Sequence, residues 1–475
     1  MRRHDVSSVQ GTSVRPDKKM SSLAIAIIVV FIIGYLFIAL ESATKVNKAA
    51  VALLMFVVVW TLYMINPGLF VSAVHPEFSG DGDALIQFAN GLITNHLGDT
   101  GTTLFFLMGA MTIVEVVDQN GGFDWVRNVM HTKSKRGLLW RIAFMTFFLS
   151  AILDNMTTSI VMIMILRKLV PDHKDRIIYA ALVIIAANSG GAFSPIGDVT
   201  TIMLWNKGLI TAAGVISEIL VPSIISMVIP AFIMQFLLKG ELVDAKAASA
   251  DAVVSQQQEL TDRQRKTVFW IGVGGLCFVP VFKSLTNLPP FVGILLVLSV
   301  LWIATELFYR HLKRSSAKKR VVSLIKNIDM STILFFLGIL MAVSCLEEIG
   351  ALTALGKGLN VTFNGNHFMV TGIIGVLSSI IDNVPLVAGC MGMYPVAPSG
   401  DFATDGIFWQ LLAYCAGVGG SMLIIGSAAG VVVMGLEKIT FGWYMKRVSW
   451  IAFVGYLAGI LSYYVIREFL FTTPL

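Results

Sequence analysis

Hydrophobic and polar positions alternate along this chain on a coarse scale. Apolar runs near the ~20 residues that a helix needs to cross a bilayer are separated by short polar loops. Such runs lie at roughly 22–40, 50–66, 102–118, 178–203, 215–238, 267–283, 290–309, 330–346, 407–435 and 448–466. They predict an all-α polytopic membrane protein with about ten transmembrane helices and the lipid bilayer as its first partner. Two further apolar stretches break at the same dipeptide, as ILDNMTTS around Asp154 and Asn155 and as SIIDNVPLV around Asp382 and Asn383. A carboxylate and an amide at membrane depth are costly in hydrocarbon, and so mark functional positions.

The two breaks belong to an internal repeat. TLFFLMGAM from Thr103 matches TILFFLGILM from Thr332, and GG at Gly190 and Gly191 with IGD ending at Asp198 matches GG at Gly419 and Gly420 with IGS ending at Ser427. Offsets of 228 to 230 hold over all three landmarks.

The stretch from Arg141 to Arg167 fits either one span or two arms of about 12 residues, each near 18 Å as helix, that enter partway and turn back. Loop charge decides between them. With both Asp-Asn stretches re-entrant, the loops near 41–49, 124–141, 167–176, 239–266, 310–329 and 437–447 share one side and carry 26 Lys and Arg residues, against 4 in the opposite loops. The positive-inside rule selects that arrangement, although it leaves a basic N-terminal tail outside.

An odd number of spans then separates matching elements, so the halves are inverted repeats with the site near the midplane. The expected organisation is a polar tail over 1–21, a first repeat over 22–238 with its hairpin about 141–167, a cytoplasmic linker over 239–266, a second repeat over 267–466 with its hairpin about 367–397, and a C-terminal tail over 467–475. Met20 is an alternative start.

Composition agrees with this class, since 56% of the 475 residues are hydrophobic and 13% charged, where soluble domains carry about 25%. The net charge of +6 resides in loops, where topology accounts for it, so nucleic acid is not a partner. Cys277, Cys345, Cys390 and Cys415 lack metal-ligand spacing and read as small core residues. No His falls in the middle of a predicted span, and Glu41, Lys45 and Lys48 read as loop charges.

Asp154, Asn155, Thr157 and Thr158 stand at the first predicted tip, and Ser379, Asp382 and Asn383 at the second. Irregular backbone at this depth is tolerated where it lines a cavity. Na⁺ is a hard cation suited to carboxylate, amide and hydroxyl oxygens; helix capping is the structural alternative.

NSGGAFSPIGDVTT, from Asn188 to Thr201, and its counterpart from Gly417 to Gly430 contain helix breakers that predict unwound spans with exposed carbonyls. Asn188, Ser189, Asp198, Thr200, Ser421 and Ser427 add side-chain donors and acceptors there, while close packing is the alternative role for the glycines. Two carboxylates in one poorly solvated site, Asp154 and Asp198, cannot both stay ionised without compensation. They therefore hold either protons or a cation, which suffices for exchange of H⁺ for Na⁺ or Li⁺, and these two are the expected Na⁺ ligands. Glu115, Asp118, Glu347 and Glu348, near the ends of matched spans, are candidates for proton access or pH sensing, or else ordinary interfacial acids.

ILDNMTTSIVM, ANSGGAFSPIGDVTTIMLW and SIIDNVPLV resemble the signature segments of NhaD-type Na⁺/H⁺ antiporters, in the ion transporter superfamily that also holds arsenite permeases and dicarboxylate/Na⁺ symporters. The resemblance runs from about Glu41 to the last span. It implies inverted repeats with two hairpins, homodimers with a scaffold part and a moving part, elevator-like alternating access, and a place in the cytoplasmic (inner) membrane. It also implies functional roles for Asp154, Asn155, Asn188, Asp198, Thr200, Asp382, Asn383, Ser421 and Ser427. Because Asp198 matches Ser427, the repeats do not offer two equal cation sites.

The alternative within the superfamily is a Na⁺-coupled dicarboxylate or arsenite transporter, whose anionic substrate would meet three like charges. An intramembrane aspartyl protease built on Asp154 and Asp198 leaves Asp382 without a role. No enzyme activity and no cofactor are therefore expected.

Overall fold

The computed structural model describes residues 21–39, 44–123, 129–130, 132–238, 240–241, 260–310, 320–380 and 382–470. Nearly all of the expected 1–21 tail, most of the 239–266 linker, Glu41 and the last residues of the C-terminal tail lie outside the described residues.

The first half of the chain contains α1 (Ser22–Ala39), α2 (Lys48–Ile65), α3 (Pro67–Val74), α4 (Gly82–Gln119), α5 (Lys135–Leu153), α6 (Asn155–Leu169), α7 (His173–Ala192), α8 (Val199–Asn206) and α9 (Ala212–Met234). The second contains α10 (Asp262–Thr286), α11 (Pro290–Tyr309), α12 (Met330–Glu348), α13 (Ala351–Thr362), α14 (His367–Ser378), α15 (Asn383–Met393), α16 (Ile407–Gly419), α17 (Ala428–Glu437) and, after a π-helical turn over Met445–Ser449, α18 (Trp450–Leu470).

Among the described residues eight helices are long and apolar enough to cross a membrane. Two of the ten runs read from the sequence, 178–203 and 407–435, are each divided into two helices, α7 with α8 and α16 with α17. Pro195, which lacks an N–H, and Gly197 fall within the first division, where helix cannot continue.

Two boundaries differ from the sequence reading. The first hairpin begins at Lys135, and its arm α5 has 19 residues instead of about 12. The run expected over 102–118 is only the second half of α4, a 38-residue helix that begins at Gly82 and includes His96. Glycines and polar residues mask the first half in a hydropathy pattern, because they weaken apolar periodicity without forbidding helix.

The hairpins are visible in who meets whom. Lys135, at the start of α5, accepts a hydrogen bond from Tyr179 on its carbonyl and pairs with Asp175, both near the start of α7. Ser150, near the end of α5, donates to the Ala187 carbonyl. Then α6 returns, so that Arg176 of α7 donates to the Val170 carbonyl just past its end. Both ends of the α5–α6 pair therefore lie beside the start of α7, and the tip lies near its end.

The second half repeats this construction. Ser378 donates to the Ala416 carbonyl, Tyr394 beyond α15 packs on Phe408 at the start of α16, and His367 at the start of α14 packs on the same ring. Glycine permits the close approach in both copies: a Cβ on Gly190 would lie 2.1 Å from the Phe147 carbonyl oxygen, and one on Gly419 would lie 2.1 Å from that of Gly375.

The two units face opposite ways. Glu437, at the end of α17, meets Arg176 at the start of α7, whereas Asp405, before α16, bonds Thr211 just past α8. The two broken helices thus run antiparallel and cross at their breaks.

Helix α7 is buried continuously from Tyr179 to Ala192 and packs among α5, α6, α9, α16 and α17. A second group, α1, α2, α4, α10, α11 and α12, packs mainly on itself and meets the first chiefly where α12 touches α15 and α4 touches α8. Its outer faces carry exposed Leu54, Trp270 and Ile303, as lipid contact requires.

Candidate functional site

Four helices begin where the breaks cross, and each start is capped by a residue of the repeated segments. Asp154 accepts the Thr157 N–H at α6, Asp198 the Thr200 N–H at α8, Asp382 the Val384 N–H at α15, and Ser427 the Gly430 N–H at α17. Capping takes only some of the lone pairs of each carboxylate, so it does not preclude an ion there.

Asp198 is 1% exposed. Its Oδ1 accepts from the Thr200 N–H and hydroxyl, both at 2.9 Å. Asn155 Nδ2 donates to its Oδ2 at 2.9 Å, and Asn383 Nδ2 reaches both oxygens at 3.4 Å. Asn155 also donates to Asn188 Oδ1 at 3.1 Å, and Asn188 Nδ2 donates to Ser421 Oγ at 3.0 Å and Ser427 Oγ at 2.9 Å. One buried network thus joins both tips and both breaks around Asp198. Every donor to that carboxylate is neutral, and among the described residues no Lys, Arg or His pairs with it.

Asp154 stands at the first tip with φ 94° and ψ 157°, a region that glycine tolerates and other residues occupy at a cost of about 1–3 kcal/mol. Its Oδ2 accepts from the Thr157 hydroxyl at 2.7 Å. Thr158, one residue on, is fully buried, and its hydroxyl has no hydrogen-bond partner among the described residues.

Not every residue singled out in the sequence joins the network. Ser189 faces α9, where Ser226 donates to its hydroxyl at 2.9 Å. The Ser379 hydroxyl donates to the Val376 carbonyl of its own helix. Neither hydroxyl is hydrogen-bonded to the network among the described residues. Glu115 accepts from Asn327 at an exposed position.

Glu348 is held between His75 and His96, each with Nε2 at 2.7 Å from one of its oxygens. Glu347 lines a cavity of about 430 Å³ with His96, Asp99, Lys207, Met203 and Ala388. Met203 and Ala388 stand five and six residues beyond Asp198 and Asp382, so the cavity approaches the network to within ~9 Å along α8 and α15.

The sequence reading missed Lys48. It is the first residue of α2 and not a loop charge, with Nζ 3.6 Å from Asp382 Oδ2 and 4.4 Å from the centre of the Phe335 ring. The signal lay in the repeat itself. Thr157, which serves Asp154 with two donors, is matched by Pro385, which has neither N–H nor hydroxyl.

Comparison with known proteins gives a consistent picture. The family described as citrate transporter matches residues 35–409. Sodium/proton antiporter 1 of Arabidopsis thaliana is 42% identical over 95% of this chain and 74% of its own length. The Na⁺/H⁺ antiporter NhaD of Vibrio parahaemolyticus is 30% identical over 78% of this chain and 91% of its own, and NhaD of Alkalimonas amylolytica 29% over 94% and 91%. Among solved structures, the crystal structure of the Alcanivorax borkumensis YdaH transporter has a similar fold, with a TM-score of 0.57 at 15% identity, covering 88% of this chain and 98% of that one.

Proposed function

The chain belongs to the citrate transporter family and, within it, to the NhaD-type Na⁺/H⁺ antiporters; from that premise we propose that it exchanges Na⁺, and Li⁺ by the same oxygen chemistry, for H⁺ at the network around Asp198. Asp198 carries the reading. A carboxylate at 1% exposure with only neutral donors requires either a proton or a cation, since an isolated buried charge is strongly disfavoured. Alternation between the two is exchange.

The side chains divide the work. Asp198 and Asp154 bind the cation or the proton, Asp198 through oxygens fixed by Thr200 and Asn155. Asn188 links the first break to Ser421 and Ser427 of the second, so that both repeats respond to one ligand. Asn383 brings in the second tip. Capped helix starts fix these groups before the ion arrives, which lowers the reorganisation that binding demands. In this reading the hairpins are re-entrant, α5–α9 with α14–α18 form the moving part, and α1–α4 with α10–α12 form the scaffold of an elevator-like homodimer in the cytoplasmic membrane. The cavity beside Glu347 is one access route.

The family description also names citrate. An anionic substrate would meet Asp154, Asp198 and Asp382, and repulsion among like charges in a low-dielectric site disfavours it.

Proteoliposomes with an imposed pH gradient test the proposal. A Na⁺ pulse collapses the gradient with the wild-type protein and leaves it intact with Asp198→Asn, while citrate produces no uptake. Uptake of citrate, or Na⁺-driven proton movement by Asp198→Asn equal to wild type, would falsify it.

A further inference from the structure

The two hairpin tips carry the same dipeptide but are not chemically alike. Asp154 is served by two groups of Thr157, at 2.8 and 2.7 Å. Asp382 keeps one backbone donor, the Val384 N–H at 3.2 Å, because proline stands at 385. The capacity this leaves is taken by Lys48 at 3.6 Å.

Lys48 belongs to the scaffold. It opens α2, which packs along α1 and α12, and its neighbour Asn47 is tied to Ser331 at the start of α12. The contact therefore joins a fixed helix to the tip of a hairpin. It also lies beside Phe335, nearer the start of α12, whereas Glu347 at the cavity stands 12 residues further along that helix, about 18 Å away. The hairpin tip is held on the side opposite the cavity.

We propose that Lys48 is a positioning residue that acts as a tethered cation: it holds Asp382 against the scaffold, and a transported cation must displace it before using that carboxylate. The inference rests on the Na⁺ reading above and deepens it. An ammonium on a lysine stem competes with Na⁺ for the same oxygen, yet cannot leave with it. Loading then releases the second tip from α2, so that movement of the hairpin depends on occupancy.

A partly exposed pair at 3.6 Å is weak, so the effect is modest and specific. Purified protein is melted across a NaCl series balanced with choline chloride, and the Na⁺ concentration giving half of the stabilisation is read. Lys48→Gln is expected to lower that midpoint about two- to fivefold, and Lys48→Arg to keep it near wild type. In an Asp382→Asn background, adding Lys48→Gln is expected to change nothing.

A midpoint in Lys48→Gln equal to or above wild type overturns the proposal, as does an equal decrease in the Asp382→Asn background. If Lys48→Gln does not fold, acylation of Lys48 in the wild-type protein decides, read by mass spectrometry. Its reactivity rises with Na⁺ if the ion displaces it, and a flat response overturns the inference. Absence of any Na⁺-specific stabilisation in wild type sinks the transport reading as well, which separates the two failures.

Discussion

Asp198 and Asp154 illustrate how one residue can serve fold and chemistry together. Asp198 caps α8 while holding Asn155 and Thr200, and Asp198→Asn removes the charge and replaces the acceptor that meets Asn155 with a donor, while the oxygen toward Thr200 stays. Asp198→Asn keeps a capping oxygen and is expected to melt within a few degrees of wild type while losing Na⁺-driven proton movement. Asp154 offers a different separation. Its φ of 94° suits glycine, so Asp154→Gly relieves about 1–3 kcal/mol of backbone strain and loses roughly a few tenths of a kcal/mol of cap. Thermal stability at or above wild type, together with lost exchange, is the expected outcome. Stability well below wild type would show that the tip is held by the carboxylate. The acids, amides and Thr200 were legible because polar residues in apolar runs are conspicuous. That Ser189 and Ser379 bond outside the network was not legible because composition does not report where a hydroxyl points, and Lys48 was missed because a lysine at the end of an apolar run resembles a loop charge until its partner is known.

At the scale of elements, the hairpins depend on backbone contacts that only glycine allows. Gly190→Ala and Gly419→Ala each place a methyl about 2.1 Å from a carbonyl oxygen, so the hairpin must move off the broken helix. Each is expected to lower the melting temperature by several degrees and to impair transport, since a shift of about 1 Å in a site is enough to disrupt it. Gly358→Ala, whose Cβ would meet nothing within 4 Å, is the matched control and is expected to melt as wild type or slightly higher. The repeat offsets in the sequence anticipated that the two hairpins would be built alike. They did not anticipate that α5 would run 19 residues or that α4 would start at Gly82, because packing against neighbours stabilises helix where glycine and polar residues conceal the pattern.

The whole molecule is held together by clasps that join the far ends of the crossing helices. Glu437, 1% exposed, receives Arg167 from α6 at 2.8 Å and Arg176 from α7 at 2.7 Å. It thereby closes α6, α7 and α17 into one body. Glu437→Gln leaves two arginines without their carboxylate and is expected to cost about 3 kcal/mol, seen as a clear fall in melting temperature, with Na⁺ affinity of the surviving folded protein unchanged. A fall in affinity with no loss of stability would place Glu437 in the ion path instead.

The sequence by itself determined the membrane class, the duplicated Asp-Asn breaks, their inverted order and the acids that stand at the breaks, because each is written as local polarity, loop charge or a repeated word. Only the tertiary structure decided that Asp198 and not Asp382 sits at the centre of the network, that Ser189 turns away, and that Lys48 meets the second tip. Those outcomes depend on which helix faces which at the crossing of two broken spans, and contacts between residues hundreds of positions apart leave no trace in hydropathy or spacing.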